Sequence, residues 1–258
     1  MKKTTILGIL MICTVMLFAQ TTTSKTTKTS TKTTTKAVTK APSKTSTKTT
    51  TSTKPKPPIK KMDTSTYVLI TTNLGNIKLK LYDETPQHKA NFIKIIKDGV
   101  LDSTLFHRII PDFMIQGGDP DSKNAAPGAP LGMGSLGYRV PAEFNKNLIH
   151  KKGALAAARD NNPAKASSSC QFYIVEGVTY TDEKLNQLMK QTGNTYTEEQ
   201  KQTYKTVGGT PFLDMNYTVF GETVEGLDVI DAILKQQRDG RDRPLTDIRM
   251  KVEIIENK

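Results

Sequence analysis

Among its 258 residues this chain has no tryptophan, two cysteines and three histidines, and no acid before Asp63. These shortages remove several kinds of protein. Cys13 falls inside an apolar leader, which leaves Cys170 alone, and a lone cysteine forms no internal disulfide. No C-x-x-C, H-E-x-x-H or paired Cys/His spacing offers a metal site. Cys170 reads as a small buried strand residue. His88, His107 and His150 are scattered, and read as structural or surface residues. A G-x-x-x-x-G-K-[ST] loop and a G-x-S-x-G elbow are both absent. "GMGSLG" (132–137) has dinucleotide-fingerprint spacing, but that motif has meaning only between a strand and a helix. Here "NAAPGAPL" precedes it and Pro141 follows, so it reads as a glycine-rich loop. "SSSC" (167–170) offers hydroxyls without an obvious base.

The apolar run from about Ile6 to Ala19 is shorter than the roughly 20 residues a membrane span needs. Following Lys2 and Lys3, with Ala19 at the cut, it reads as a secretory signal over 1–19 and predicts export to the periplasm or cell envelope. Residues 20–62 are mostly Thr, Lys, Ser and Pro, with a lysine every fourth residue from Lys28 to Lys48. So little is available to bury that a disordered linker is expected. It reads as a solvated spacer; the alternatives are a polycationic tether to an anionic envelope surface and a glycosylated stalk. Residues 1–62 hold 13 lysines of the chain's 37 basic residues. The rest therefore carries 24 basic against 25 acidic residues, close to neutral. Its charge gives no case for nucleic-acid binding.

Residues 63–258 are long enough for one domain with a core of its own. "YVLITTNLGNIKLKLY" (67–82) alternates apolar and polar residues around Asn73-Leu74-Gly75, which predicts a hairpin. Thr85, Pro86 and Gly99 bracket a helix as N-cap, first residue and stop, with Ala90, Ile93 and Ile96 as its inward stripe. Further strands are expected at 105–110, 113–117, 153–158, 171–175, 217–222 and 248–256, and a second helix over "EGLDVIDAILK" (225–235). Many short strands without βαβ alternation predict an antiparallel, barrel-like sheet.

"FHRIIPDFMIQGGDP" (106–120) carries the functional signal. Alternation puts Phe106, Arg108 and Ile110 on one face, and Leu105, His107 and Ile109 on the other. Pro111-Asp112 is a turn, after which Met114 and Gln116 share a face. An arginine and a glutamine set among Phe, Ile and Met describe polar groups in an apolar surface, as in a binding site.

Together with "GALAAARD" (153–160), "SSSCQFYIV" (167–175) and "TPFLDMNYTVFGETVEGLDVID" (210–231), this run resembles the cyclophilin-type peptidyl-prolyl isomerases, from about Val68 to Ile255. The resemblance implies a mainly β fold: a closed eight-stranded antiparallel barrel capped by two helices. It implies Arg108 as the catalytic arginine, and Phe113, Met114 and Gln116 as proline-pocket residues. Ala158, Gln171 and Tyr173 would form the groove and pocket wall, with Phe212, Leu213 and Tyr217 on the far side. Phe212 stands where a tryptophan is frequent, Tyr217 where a histidine is, Arg159 where an asparagine is, and Tyr173 where a phenylalanine is. "TYTDEKLNQLMKQTGNTYTEEQKQTYKTVGG" (179–209) lies where many relatives have a short loop. Leu185, Leu188 and Met189 predict a helix there, and 197–206 a second.

The reaction so implied is rotation about X-Pro bonds in proline-containing, unfolded or exposed segments of exported proteins. It needs no cofactor, metal or covalent intermediate. A monomer is expected. A non-catalytic peptide-binding or chaperone module using the same groove is the alternative, distinguished by whether an X-Pro peptide is turned over.

Overall fold

The computed structural model describes residues 65–255. The expected signal and linker lie outside the described residues. Ten strands occur in chain order: β1 (Thr66–Thr72), β2 (Gly75–Leu81), β3 (Phe106–Ile110), β4 (Met114–Gly117), β5 (Arg139–Val140), β6 (Ala154–Ala157), β7 (Ser167–Ser168), β8 (Phe172–Val175), β9 (Val219–Glu225) and β10 (Lys251–Ile255). Four α-helices join them: α1 (Pro86–Lys97), α2 (Asp182–Thr192), α3 (Glu198–Thr206) and α4 (Leu227–Leu234).

Eight strands form one antiparallel sheet in the order β10-β1-β2-β9-β6-β8-β4-β3, and β5 pairs with β7 separately. The closed barrel expected from sequence is instead an open, curled half-barrel. Its two edge strands, β3 and β10, form no ladder with each other. A bridge between Leu105 and Arg249, with bonds from Phe106 N–H to the Ile248 carbonyl (3.0 Å), from Met250 N–H to the Thr104 carbonyl (2.9 Å) and from Ser103 N–H to the Met250 carbonyl (2.9 Å), links the two margins. Apart from Phe106, which begins β3, those residues lie just outside the edge strands. Ser103 turns the chain there with φ 62°, before β3 begins.

Period-2 alternation divides the sheet's side chains between two clusters. One face sends Val68, Ile70, Leu79, Ile115, Leu155, Phe172 and Ile174 into the main core, where Phe92 and Ile95 of α1 and Ile230 and Ile233 of α4 cover them. The other face carries Met114, Ala156, Tyr173 and Val175, with Phe113, Leu213 and Tyr217 packed against them. β6 and β8 are covered on both faces, so every residue in them is buried.

Two local expectations change. The buried stripe of α1 is His88, Phe92, Ile95 and Ile96; of the expected residues Ile96 is buried, Ile93 packs half-buried against the core and Ala90 is exposed. Thr85 makes no side-chain cap bond. Glu143, distant in sequence, instead accepts from the Gln87 and His88 N–H groups at 3.0 and 2.9 Å, and from His88 Nδ1 at 2.6 Å. That partner draws His88 inward and rotates the stripe. Gly99 does end the helix, with φ 65°.

The second change is in β3. A register shift between Phe106 and Arg108 marks a β-bulge, which breaks strict alternation. Phe106 joins Ile109 in the core, while Arg108 faces the other way with Ile110. The bulge lets one short strand anchor the core and still aim its arginine outward.

All three histidines are buried. None is a surface residue. Burial pulls His107 down to about 4, against the opposing field of Asp119. The unfolded chain binds that proton near pH 6.5 and the folded chain does not. Stability therefore falls as the pH drops from about 6.5 to 4, by about 3 kcal/mol from this group. Urea unfolding at pH 7 and pH 4 should show the loss, and a folded His107→Gln protein should lose correspondingly less. Equal slopes in both proteins would refute it.

Candidate active site

Arg108 leaves β3 at the mouth of a cleft of about 180 Å³. The tight 111–113 turn returns the chain so that β4 lies beside β3, pairing Arg108 with Gln116 and Ile110 with Met114. β8 continues the sheet, pairing Gln116 with Tyr173, and β6 pairs Ala156 with Tyr173. Met114 and Tyr173, both buried, lie on the same sheet face. Phe113, Leu213 and Tyr217 join them in lining the cleft, with Ala158 and Arg159 at the end of β6. Leu213 sits on a 3₁₀ turn (Pro211–Leu213).

Two of the predicted residues do not line the cleft. Phe212 is 42% exposed and stacks on Phe113, with ring centroids 5.9 Å apart. It caps the wall from outside. Gln171 is buried behind Gln116 and hydrogen-bonded to it.

The Gln171 contact settles the orientation of Gln116. Carbonyls of Gly132 and Gly134 can only accept, and they hold Gln171 Nε2 at 3.0 and 2.9 Å. Gln171 Oε1 must then face Gln116 Nε2, at 3.1 Å. Gln116 is left presenting Oε1 to Arg108, with Nη1 at 3.5 Å. The "GMGSLG" loop thus serves as a carbonyl scaffold. It is held on buried Asp119, which accepts from the Gly132 N–H at 2.5 Å. A Cβ on Gly134 would sit 2.0 Å from Asp119 Oδ1, so no larger residue fits. Replacing Gln171 with leucine should free Gln116 to flip and lower kcat/KM about fivefold, the worth of roughly one hydrogen bond. Steady-state kinetics check this; a change below twofold would show that the relay is dispensable.

Arg108 stays available as a donor. Its nearest carboxylate, Asp242, is 3.9 Å from Nε and is itself engaged by Arg238 at 3.2 Å. Arg159 is occupied differently. It lies 4.5 Å over the Tyr217 ring and donates to the carbonyls of Asn216 (3.0 Å) and Asp160 (2.9 Å). It braces a wall. Tyr217 in turn meets Tyr173 edge-on, at 6.0 Å.

The sequence reading also missed a base beside "SSSC". Ser167 Oγ lies 2.9 Å from His88 Nε2, and His88 Nδ1 lies 2.6 Å from Glu143. The arrangement resembles a hydrolytic triad, but Ser167 is 1% exposed and the neighbouring cavity holds about 10 Å³. No acyl group reaches that oxygen, and the trio ties α1 to β7.

The family model described as "Cyclophilin type peptidyl-prolyl cis-trans isomerase/CLD" matches residues 67–254. A Staphylococcus saprophyticus protein named "Putative peptidyl-prolyl cis-trans isomerase" is 34% identical over 194 residues, covering 73% of this chain and 91% of that protein. A solved Cryptosporidium parvum cyclophilin type peptidyl-prolyl cis-trans isomerase aligns over 75% of this chain and 99% of its own, with a TM-score of 0.54 at 23% identity. The structure of the same protein in the presence of the dipeptide Ala-Pro gives a TM-score of 0.53 at 24% identity over 74% of this chain. The family model and the Staphylococcus relative show that the chain belongs to the cyclophilin-type peptidyl-prolyl cis-trans isomerase family.

Proposed function

We propose that this protein accelerates cis-trans rotation about X-Pro bonds in exported polypeptides, with Arg108 stabilising the twisted amide over an apolar proline cleft. The observation that carries the reading is a guanidinium, partly exposed and no closer than 3.9 Å to a carboxylate, at the mouth of a cleft formed by Met114, Tyr173, Phe113 and Leu213.

Rotation costs about 18–20 kcal/mol because twisting destroys amide resonance. At the twisted geometry the prolyl nitrogen regains its lone pair and becomes a better acceptor. A donor aimed at that nitrogen binds the transition state more strongly than either ground state, which is what lowers a barrier. Arginine stays charged and presents a rigid fork of donors. Gln116 Oε1 steadies one arm of that fork. The apolar cleft holds the proline ring while the flanking chain turns. A proline-containing segment is the substrate class, as the Ala-Pro dipeptide used with the similar solved structure supports.

Export rests on the charged start and short apolar run before residue 20. Fractionating producing cells tests it, and a cytoplasmic pool retaining residues 1–19 would oppose it. The activity is tested by exchange spectroscopy or a protease-coupled assay on an X-Pro peptide. Binding without turnover would make the domain a peptide-binding module instead.

A further inference from the structure

The cleft floor is tied to the 179–209 insertion by a buried chain of hydrogen bonds that the proposed chemistry does not use. The Tyr173 hydroxyl lies 3.0 Å from His150 Nε2, the two rings stacked at 6.1 Å. His150 is fully buried, and its Nδ1 lies 2.7 Å from Asp214 Oδ1, which also accepts the His150 N–H at 2.8 Å. The second carboxylate oxygen, Oδ2, accepts from Tyr204 at 2.5 Å and Tyr196 at 2.8 Å. Both tyrosines belong to the insertion.

A carboxylate only accepts, so Nδ1 of the imidazole carries a proton toward Asp214. Nε2 faces the Tyr173 hydroxyl and closes the chain to the cleft floor. Burial, then the fields of Tyr217 and Asp214, push the Tyr173 hydroxyl well above its ordinary range, so it keeps its proton.

The insertion also grips the opposite wall. Tyr196 lies 3.0 Å from the Pro211 carbonyl, and Asn194 Nδ2 donates to the Asp214 carbonyl at 3.1 Å. These contacts bracket the turn that carries Phe212 and Leu213. Gly209 lets the end of the insertion lie against His150. Its φ is 148°, and a Cβ there would be 2.1 Å from the His150 carbonyl.

We infer that the insertion is a positioning element of the proline cleft: Tyr196 and Tyr204, through Asp214 and His150, set where Tyr173 and Leu213 stand and so how tightly proline is held. This rests on the proposed isomerase function. The positioning residues touch neither proline nor Arg108, so their loss should act on binding more than on the rotation step.

The experiment is kinetics and methyl NMR on the full chain with Tyr204→Phe, Tyr196→Phe and Tyr173→Phe, singly and combined. Each change removes a hydroxyl and keeps the ring. Tyr204→Phe should raise KM at least threefold with kcat within twofold. In a Tyr173→Phe background, where the link is already cut, the same change should raise KM less than twofold further. The Met114 and Leu213 methyl signals should shift in Tyr204→Phe, a readout that needs no turnover. A KM change below threefold, or an equal effect in both backgrounds, or unmoved cleft methyls, would overturn the inference. An inactive wild type would refute the isomerase reading, and the methyl shifts would still report on the link. If Tyr204→Phe does not fold, Tyr196→Phe carries the same tests.

Discussion

Arg108→Lys is expected to lower kcat/KM about 10–100-fold, nearly as far as Arg108→Ala. Lysine retains the charge but loses the planar fork. A charge-assisted hydrogen bond is worth roughly 1.5–3 kcal/mol, and each 1.36 kcal/mol is about tenfold in rate. The side chain is 43% exposed, so the substitution should leave the fold intact. Circular dichroism establishes folding, and exchange spectroscopy on an X-Pro peptide measures turnover. The loss should fall mainly on kcat, because the arginine acts on the twisted state and the apolar cleft remains to bind proline. Near-normal turnover in folded Arg108→Lys would remove Arg108 from the chemistry.

Asp214→Ala should cause the largest loss of stability of any single change near the cleft. One carboxylate, 4% exposed, accepts from the His150 N–H, His150 Nδ1, Tyr204 and Tyr196. Alanine leaves the buried His150 N–H, His150 Nδ1 and Tyr204 hydroxyl without that acceptor, while the half-buried Tyr196 keeps the Pro211 carbonyl at 3.0 Å. Breaking a buried charged network from one side costs about 3–5 kcal/mol. For a domain of this size that is a fall in Tm of about 6–20 °C. Asp214→Asn should cost less, since its amide oxygen can still serve His150. Calorimetry of the two variants decides it. A loss under about 1 kcal/mol for alanine would mean that water or another group replaces the carboxylate.

The elements were largely legible from local pattern. Alternation around Asn73-Leu74-Gly75 marks the β1–β2 hairpin, which pairs Thr72 with Gly75. The helical reading of 197–206 meets α3, whose capping box joins Thr197 and Gln200. Period, caps and turn residues depend on neighbours a few positions away, so the chain states them directly. The resemblance carried by the quoted motifs also pointed to most of the residues that the cleft gathers, several of which, such as Ala158, Leu213 and Tyr217, lie outside any strand.

What depended on distant partners could not be read in this way. Glu143 caps α1 from across the chain and turns its buried face. The bulge at His107 puts Phe106 and Arg108 on opposite faces, contrary to strict alternation. The sheet's failure to close reflects edge strands that form no ladder with each other and meet only near the start of β3 and just before β10. His150, Asp214, Tyr196 and Tyr204 carry no motif spacing, and they become one network only when the insertion folds back on the 3₁₀ turn. Sequence by itself determined the strands of the main sheet, the α-helices and the arginine-centred motif, since these follow from local periodicity and residue chemistry, while the short β5–β7 pair was not legible there. Tertiary structure alone decided the open sheet, the rotated helix face, the Gln171 relay and the Asp214 network, because a hydrogen bond between residues far apart in the chain exists only once packing brings donor and acceptor within about 3 Å.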